Sequence, residues 1–124
     1  MSEHANLRNT DPGWVIILQY ETVDADAQRD LIDGLSGMID MWVTPYEGLL
    51  GARFHASEDG RRVVNTVFWE SEARYREFLA TSDNEGRVAK LGELFERLGG
   101  RAKWIEGVPG HHVAKTVVPG VPAV

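Results

Sequence analysis

Near the middle of the chain two runs of strand-forming residues, Leu49 to Ser57 and Arg61 to Glu70, flank the tripeptide Glu58-Asp59-Gly60. A short polar loop with glycine at its left-handed position, set between two such runs, specifies an antiparallel hairpin. Any fold for this chain has to be built around that hairpin. Upstream, Trp14 to Glu21 (WVIILQYE) is aromatic and β-branched and follows the turn-forming Asp11-Pro12-Gly13, so it reads as a strand. Between them Leu31, Leu35, Met38, Ile39 and Trp42 recur at helical spacing behind Asp24 or Asp26 as a cap. They predict a helix from about Ala25 to Val43, weakened by Gly34 and Gly37. Downstream, Ser71 is positioned to cap SEARYREFLA. Asp83 can cap a further segment in which Val88, Leu91, Leu94, Phe95 and Leu98 repeat at helical period, and Gly99-Gly100 stops it. Arg101 to Val108 is the last expected strand.

The resulting order is β-α-β-β-α-β with the second helix split in two. This is an α+β, ferredoxin-like arrangement: a four-stranded antiparallel sheet with helices on one face. It assigns residues 14–108 to the domain, residues 1–13 to an N-terminal extension and residues 109–124 to a Pro/Gly-broken C-terminal tail. A sheet with one face covered leaves the other to solvent, yet Leu50, Phe54, Val64 and Phe68 are expected to fall together on one face of the hairpin. Apolar patches of that kind mark interfaces, so the expectation is a homodimer of two sheets packed face to face, with the valine-rich tail covering part of the partner.

Composition narrows the function. A chain of 124 residues that is 43% hydrophobic can build one core without covalent staples. The absence of cysteine removes thiol nucleophiles, Cys-ligated zinc and iron–sulfur clusters. A formal charge of −6 disfavours a phosphate backbone as partner, so no nucleic acid is expected. No segment resembles a signal peptide or a membrane span, which makes a cytoplasmic protein with no membrane partner the default. There is no GxGxxG, P-loop, HExxH or nucleophile elbow. His111 and His112 are adjacent and point apart in an extended chain, a poor metal pair, and no metal site is expected.

Residues two apart in a strand share a face, so Val63, Asn65, Val67 and Trp69 point together. A three-residue loop pairs Ser57 with Arg61, which puts His55 opposite Val63 and on the same face. On the helices, Tyr75 lies on a stripe with Phe78 and Leu79, and Arg87 shares a face with Leu91, Leu94 and Leu98. Each has an ordinary reading: a strand histidine is usually half-exposed, a tryptophan usually core, a tyrosine can send its hydroxyl to the rim, and Arg87 can pair with Asp83 or Glu85. Asn65 fits least well as core, because a mid-strand amide has to find hydrogen bonds. Together the five would line one cavity between sheet and helices, suited to a flat aromatic molecule carrying phenol or carbonyl oxygens.

The stretch Gly48 to Phe78, GLLGARFHASEDGRRVVNTVFWESEARYREF, with HASEDG, then VVN, then WESE and Tyr75 three residues on, resembles the antibiotic biosynthesis monooxygenase family of dimeric α/β-barrel proteins. Two motifs depart from the family's pattern. Pro-Gly-Phe is here Pro45-Tyr46-Glu47-Gly48-Leu49, and N-Y-x-Q-W is here Asn65-Thr66-Val67-Phe68-Trp69. The resemblance implies a cofactor-independent monooxygenase that oxidises a phenolic or anthrone-type aromatic polyketide to a quinone, with O2 as co-substrate and no flavin, haem or metal. It implies Asn65, Trp69 and Arg87 as catalytic residues and His55 and Tyr75 as substrate-binding. An electron-rich phenolate can itself reduce O2 if the protein stabilises the developing negative charge and His55 or Tyr75 moves the proton. Two rivals share the fold: an aromatic polyketide cyclase that consumes no O2, and a non-catalytic dimeric ligand-binding protein. Haem degradation, a third, needs a histidine on the second helical region, and residues 71–98 contain none.

Overall fold

A computed structural model describes residues 12–114 and Gly120. Four strands, β1 (Trp14–Thr22), β2 (Leu49–Ala56), β3 (Arg62–Trp69) and β4 (Ala102–His111), and three helices, α1 (Ala25–Trp42), α2 (Glu72–Thr81) and α3 (Asn84–Leu98), follow one another in the expected order. The strands form one antiparallel sheet in the order β2-β3-β1-β4. The helices lie on one face, and the ferredoxin-like arrangement is the one observed. Most of residues 1–13 and of the tail, including any packing of that tail on a partner, lie outside the described residues.

The helix boundaries are set by side chains that satisfy otherwise unpaired backbone donors. Asp24 accepts from the Ala27 amide at 2.8 Å, Ser71 from Arg74 at 3.1 Å and Asp83 from Gly86 at 2.9 Å. Gly99, left-handed at φ 58°, closes α3. Gly34 marks the close approach of α1 to α3, since a Cβ there would lie 2.5 Å from a Leu94 methyl.

The last strand does not stop at Val108. It runs through Pro109 and Gly110 to His111, which pairs with Val15. A proline is tolerated because β4 is an edge strand, with no neighbour among the described residues on its outer side to receive an N–H. Glycine is required next, because a Cβ at Gly110 would sit 2.0 Å from the Trp14 indole.

The hairpin differs from expectation by one residue. The Gly60 amide donates to the Ser57 carbonyl at 3.1 Å, and Asp59 Oδ1 accepts from Ser57 Oγ at 2.7 Å and from the Arg61 amide at 3.0 Å. Pairing begins only at Ser57 and Arg62, with the Ser57 amide donating to the Arg62 carbonyl at 3.1 Å, so the loop has four residues rather than three. The register is therefore Phe54 opposite Asn65 and His55 opposite Val64. A one-residue shift exchanges the two faces of a strand. Phe54 packs under the helices against the Tyr20–Leu31–Leu94 core, whereas Arg53, His55, Val64, Thr66 and Phe68 share the open face. Phe54 is thus not part of the outward apolar patch expected from the sequence.

Side chains under the helices form two core clusters. One gathers Tyr20, Leu31, Leu35, Val63, Leu94 and Leu98; the other gathers Trp14, Val43, Val67, Trp69 and Phe78. Asn65 stands on β3 between Val63 of the first and Val67 of the second.

Candidate active site

At the seam between the two clusters lies a cavity of about 260 Å³, walled by the inner faces of β1 and β3 and by α1, α2 and α3. Its size is at the small end of ligand pockets, and its lining is mostly apolar. Four of the five residues singled out in the sequence, Asn65, Trp69, Tyr75 and Arg87, line it.

Asn65 is 3% exposed, and its Oδ1 is buried with no hydrogen-bond partner among the described residues. An unpaired buried amide oxygen costs roughly 1–3 kcal/mol, so a group left this way in an apolar wall is poised for a donor that the protein itself does not supply. Trp69, two positions along the same face and 1% exposed, brings its ring to 5.7 Å from Tyr75 in an edge-on arrangement and to 5.1 Å from Phe78. At a strand rise of about 3.3 Å per residue, Asn65 and Trp69 spring from points about 13 Å apart along the cavity wall.

Tyr75 enters from the first full turn of α2, where its amide donates to the Ser71 carbonyl at 3.2 Å. Arg87 enters from the first turn of α3. Its guanidinium lies over the Phe78 ring at 4.6 Å and donates to Ser82 Oγ at 2.9 Å and to Asn84 Oδ1, not to Asp83 or Glu85. Burial holds its pKa below the usual arginine value, against the opposing pull of Tyr75, Tyr46 and Asp83. A partly desolvated cation without a carboxylate on it is suited to meeting an anion. Beside it Val88 lines the cavity while 66% exposed, so the mouth opens at the start of α3.

His55 is the exception. The register places it on the open face of the sheet, exposed and opposite Val64, with the sheet between it and the cavity. The expectation that it shares the cavity with the other four is corrected; the error came from the loop length, which decides the parity of every residue in β2. In the other direction, Tyr20, which its residue type does not single out, also lines the cavity. The signal was available in the alternation of WVIILQYE: Tyr20 has the parity of Trp14 and Leu18 and lies opposite Val63.

Among the described residues no group of three or more His, Cys, Asp or Glu side chains is placed to hold a metal ion, and no helix is long and apolar enough to cross a membrane. His112 turns away from His111, meeting the Trp14 ring edge-on at 4.9 Å and a Glu72 carboxylate oxygen at 3.8 Å.

No protein-family model matches the chain. It is 39% identical over 54 residues, 44% of its length, to the tetracenomycin-F1 monooxygenase of Streptomyces glaucescens, of which it covers 48%. The chain thus spans about half the length of the curated relative it matches. Over 88% of its length and 94% of the other chain it superposes, with a TM-score of 0.64 and 28% identity, on the ActVA-Orf6 monooxygenase of Streptomyces coelicolor, solved in complex with nanaomycin D. SnoaB, a cofactor-independent oxygenase of Streptomyces nogalater, shares the fold at a TM-score of 0.63 and 13% identity, over 88% of this chain and 99% of that one.

Proposed function

We propose that the chain is a monooxygenase of the antibiotic biosynthesis type, the family that its sequence resembles, and that it oxidises a phenolic or anthrone-type aromatic polyketide to a quinone with O2 and without a bound cofactor; the likeness to the tetracenomycin-F1 and ActVA-Orf6 monooxygenases supports this reading. The observation that carries this reading is the Asn65 amide oxygen, buried without a partner among the described residues in an apolar cavity that Trp69, Tyr75, Arg87 and Tyr20 also line.

The reaction needs a substrate anion, a place for O2 beside it and little water. Arg87, at the mouth, favours the phenolate by Coulombic attraction in a partly desolvated site. The Tyr75 hydroxyl passes the phenolic proton toward the mouth; with His55 on the other side of the sheet, it is the remaining candidate of the two for that task. The anion reduces O2, a carbon–oxygen bond forms at the ring carbon, and the resulting hydroperoxide breaks its O–O bond. One oxygen stays as the new carbonyl, the other leaves as water, and the two hydrogens lost from the ring position and its partner oxygen, or from an anthrone methylene, go with it. Asn65 and the Trp69 indole N–H hold the substrate oxygen and the peroxide in position, and the close-packed walls exclude competing water.

The protein acts as a homodimer in the cytoplasm, built through the open sheet face. That face carries Val15, Ile17, Val64, Thr66 and Phe68, all half-exposed in the single chain. The test is oxygen uptake with a panel of hydroxylated anthrones and naphthols. Stoichiometric O2 consumption is expected, and Asn65→Ala should lower kcat/KM about tenfold or more with little change in folding stability. Quinone formed at the same rate under strict anaerobiosis, or an Asn65→Ala enzyme as fast as the wild type, would overturn the reading and favour a cyclase or a binding protein.

A further inference from the structure

The inner end of the cavity, away from Arg87, presents a phenol that the reaction above does not use. Tyr20 is 2% exposed and lines the cavity together with Leu18, Leu35 and Asn65. Its ring is stacked on Phe95 with centroids 5.9 Å apart, which fixes where the hydroxyl can go. No hydrogen bond to that hydroxyl is made among the described residues; burial alone pushes the phenol up to about 12, so it is a neutral donor at any ordinary pH. Phenylalanine would fill the same wall without leaving a polar atom to satisfy. The hydroxyl adds a donor to the cavity wall that an oxygen entering the cavity can take.

Position says what that something is. Tyr20 lies opposite Val63 and Leu18 opposite Asn65, so Tyr20 and Asn65 are diagonal neighbours on one face of the sheet. Beyond Asn65 on that face come Val67 and Trp69, then the Phe78–Arg87 pair at the mouth. A flat fused-ring molecule with its reacting ring at Asn65 and Trp69 has its far ring against Tyr20.

We propose that the Tyr20 hydroxyl is a specificity contact, donating a hydrogen bond to a carbonyl or hydroxyl oxygen on the substrate ring farthest from the mouth. The inference rests on the reading of the cavity as a site for fused-ring phenols. It deepens that reading by requiring oxygen at both ends of the molecule. A site built to hydrogen-bond an oxygen discriminates against the analogue that lacks it far more strongly than an apolar wall does.

The test is binding without turnover. Under anaerobic conditions the quenching of tryptophan fluorescence gives Kd for 1,8-dihydroxyanthrone, which carries oxygen on both outer rings, and for unsubstituted anthrone, which does not. Tyr20→Phe should weaken 1,8-dihydroxyanthrone about tenfold and leave anthrone within about twofold, with no fall in melting temperature. Equal loss for both probes, no loss for either, or failure of the wild type to bind 1,8-dihydroxyanthrone would overturn the proposal. So would a melting temperature lowered by about 5 °C or more, which would show that the hydroxyl has a structural partner. Oxygen uptake separates this from the reading beneath it. A Tyr20-dependent preference without O2 consumption leaves the contact standing and removes the oxidation, and O2 consumption without that preference does the reverse.

Discussion

Residue by residue, the site was legible wherever side-chain type and strand parity sufficed. Asn65 stands out because a mid-strand amide has no comfortable place in a core, and its oxygen has no partner among the described residues. Trp69 followed by parity, and Tyr75 and Arg87 by helical spacing. Tyr20 was missed because tyrosine is at home in a strand, and nothing in its letter says whether the hydroxyl reaches water. The fold leaves it with a measurable signature. A phenol that ionises at 10.0 when free and at about 12 in the folded protein holds its proton more tightly when folded. Its contribution to stability is complete below pH 10 and is lost as pH rises from 10 through 12. Between pH 9 and pH 11.5 the wild type should lose about 2 kcal/mol more unfolding free energy than Tyr20→Phe, measured by urea denaturation. Equal losses would mean that the phenol is solvated.

For the elements, order and type were written in periodicity and caps, but register was not. The loop reads as three residues if Gly60 is taken as the last residue before the strand. It has four because Ser57 and Asp59 spend their side chains on the Arg61 and Arg62 amides. Gln28 of α1 then fixes the hairpin end to the helix layer, its Nε2 donating to the Ser57 and Arg62 carbonyls at 3.1 and 2.9 Å. These are contacts between segments far apart in sequence, and no local pattern reports them. The glycines of α1 make the same point. Gly34 and Gly37 look equivalent in the sequence, yet a Cβ at Gly37 meets nothing within 4 Å, whereas at Gly34 it runs into Leu94. Gly37→Ala should stabilise the protein by about 0.5–1 kcal/mol through helix propensity. Gly34→Ala should fall about 1 kcal/mol or more short of that, because Leu94 has to move within a packed core. Chemical denaturation of the two variants side by side checks the difference.

On the scale of the whole molecule, a single sheet covered on one side accounts both for the cavity and for the open apolar face through which we propose a second copy binds. The open face is apolar at Val15, Ile17, Val64 and Phe68, with the Arg53 guanidinium 5.6 Å above the Phe68 ring. Sedimentation equilibrium should give about twice the 13.8 kDa of one chain, and Val64→Asp should shift the population to monomer at micromolar concentration. A wild-type monomer would leave this face to another partner. The four-residue hairpin loop governs both sides of the sheet at once. A surface turn is ordinarily a neutral place for change, absorbed by solvent. Here, closing the turn one residue earlier, with Ser57 opposite Arg61 instead of Arg62, would roll β2 over, carry His55 to the cavity face and turn Phe54 out onto the open face. The bonds that hold Ser57 to Arg62 thus keep a hydrocarbon wall where a titratable one would otherwise stand, and they set the make-up of the open face in the same stroke.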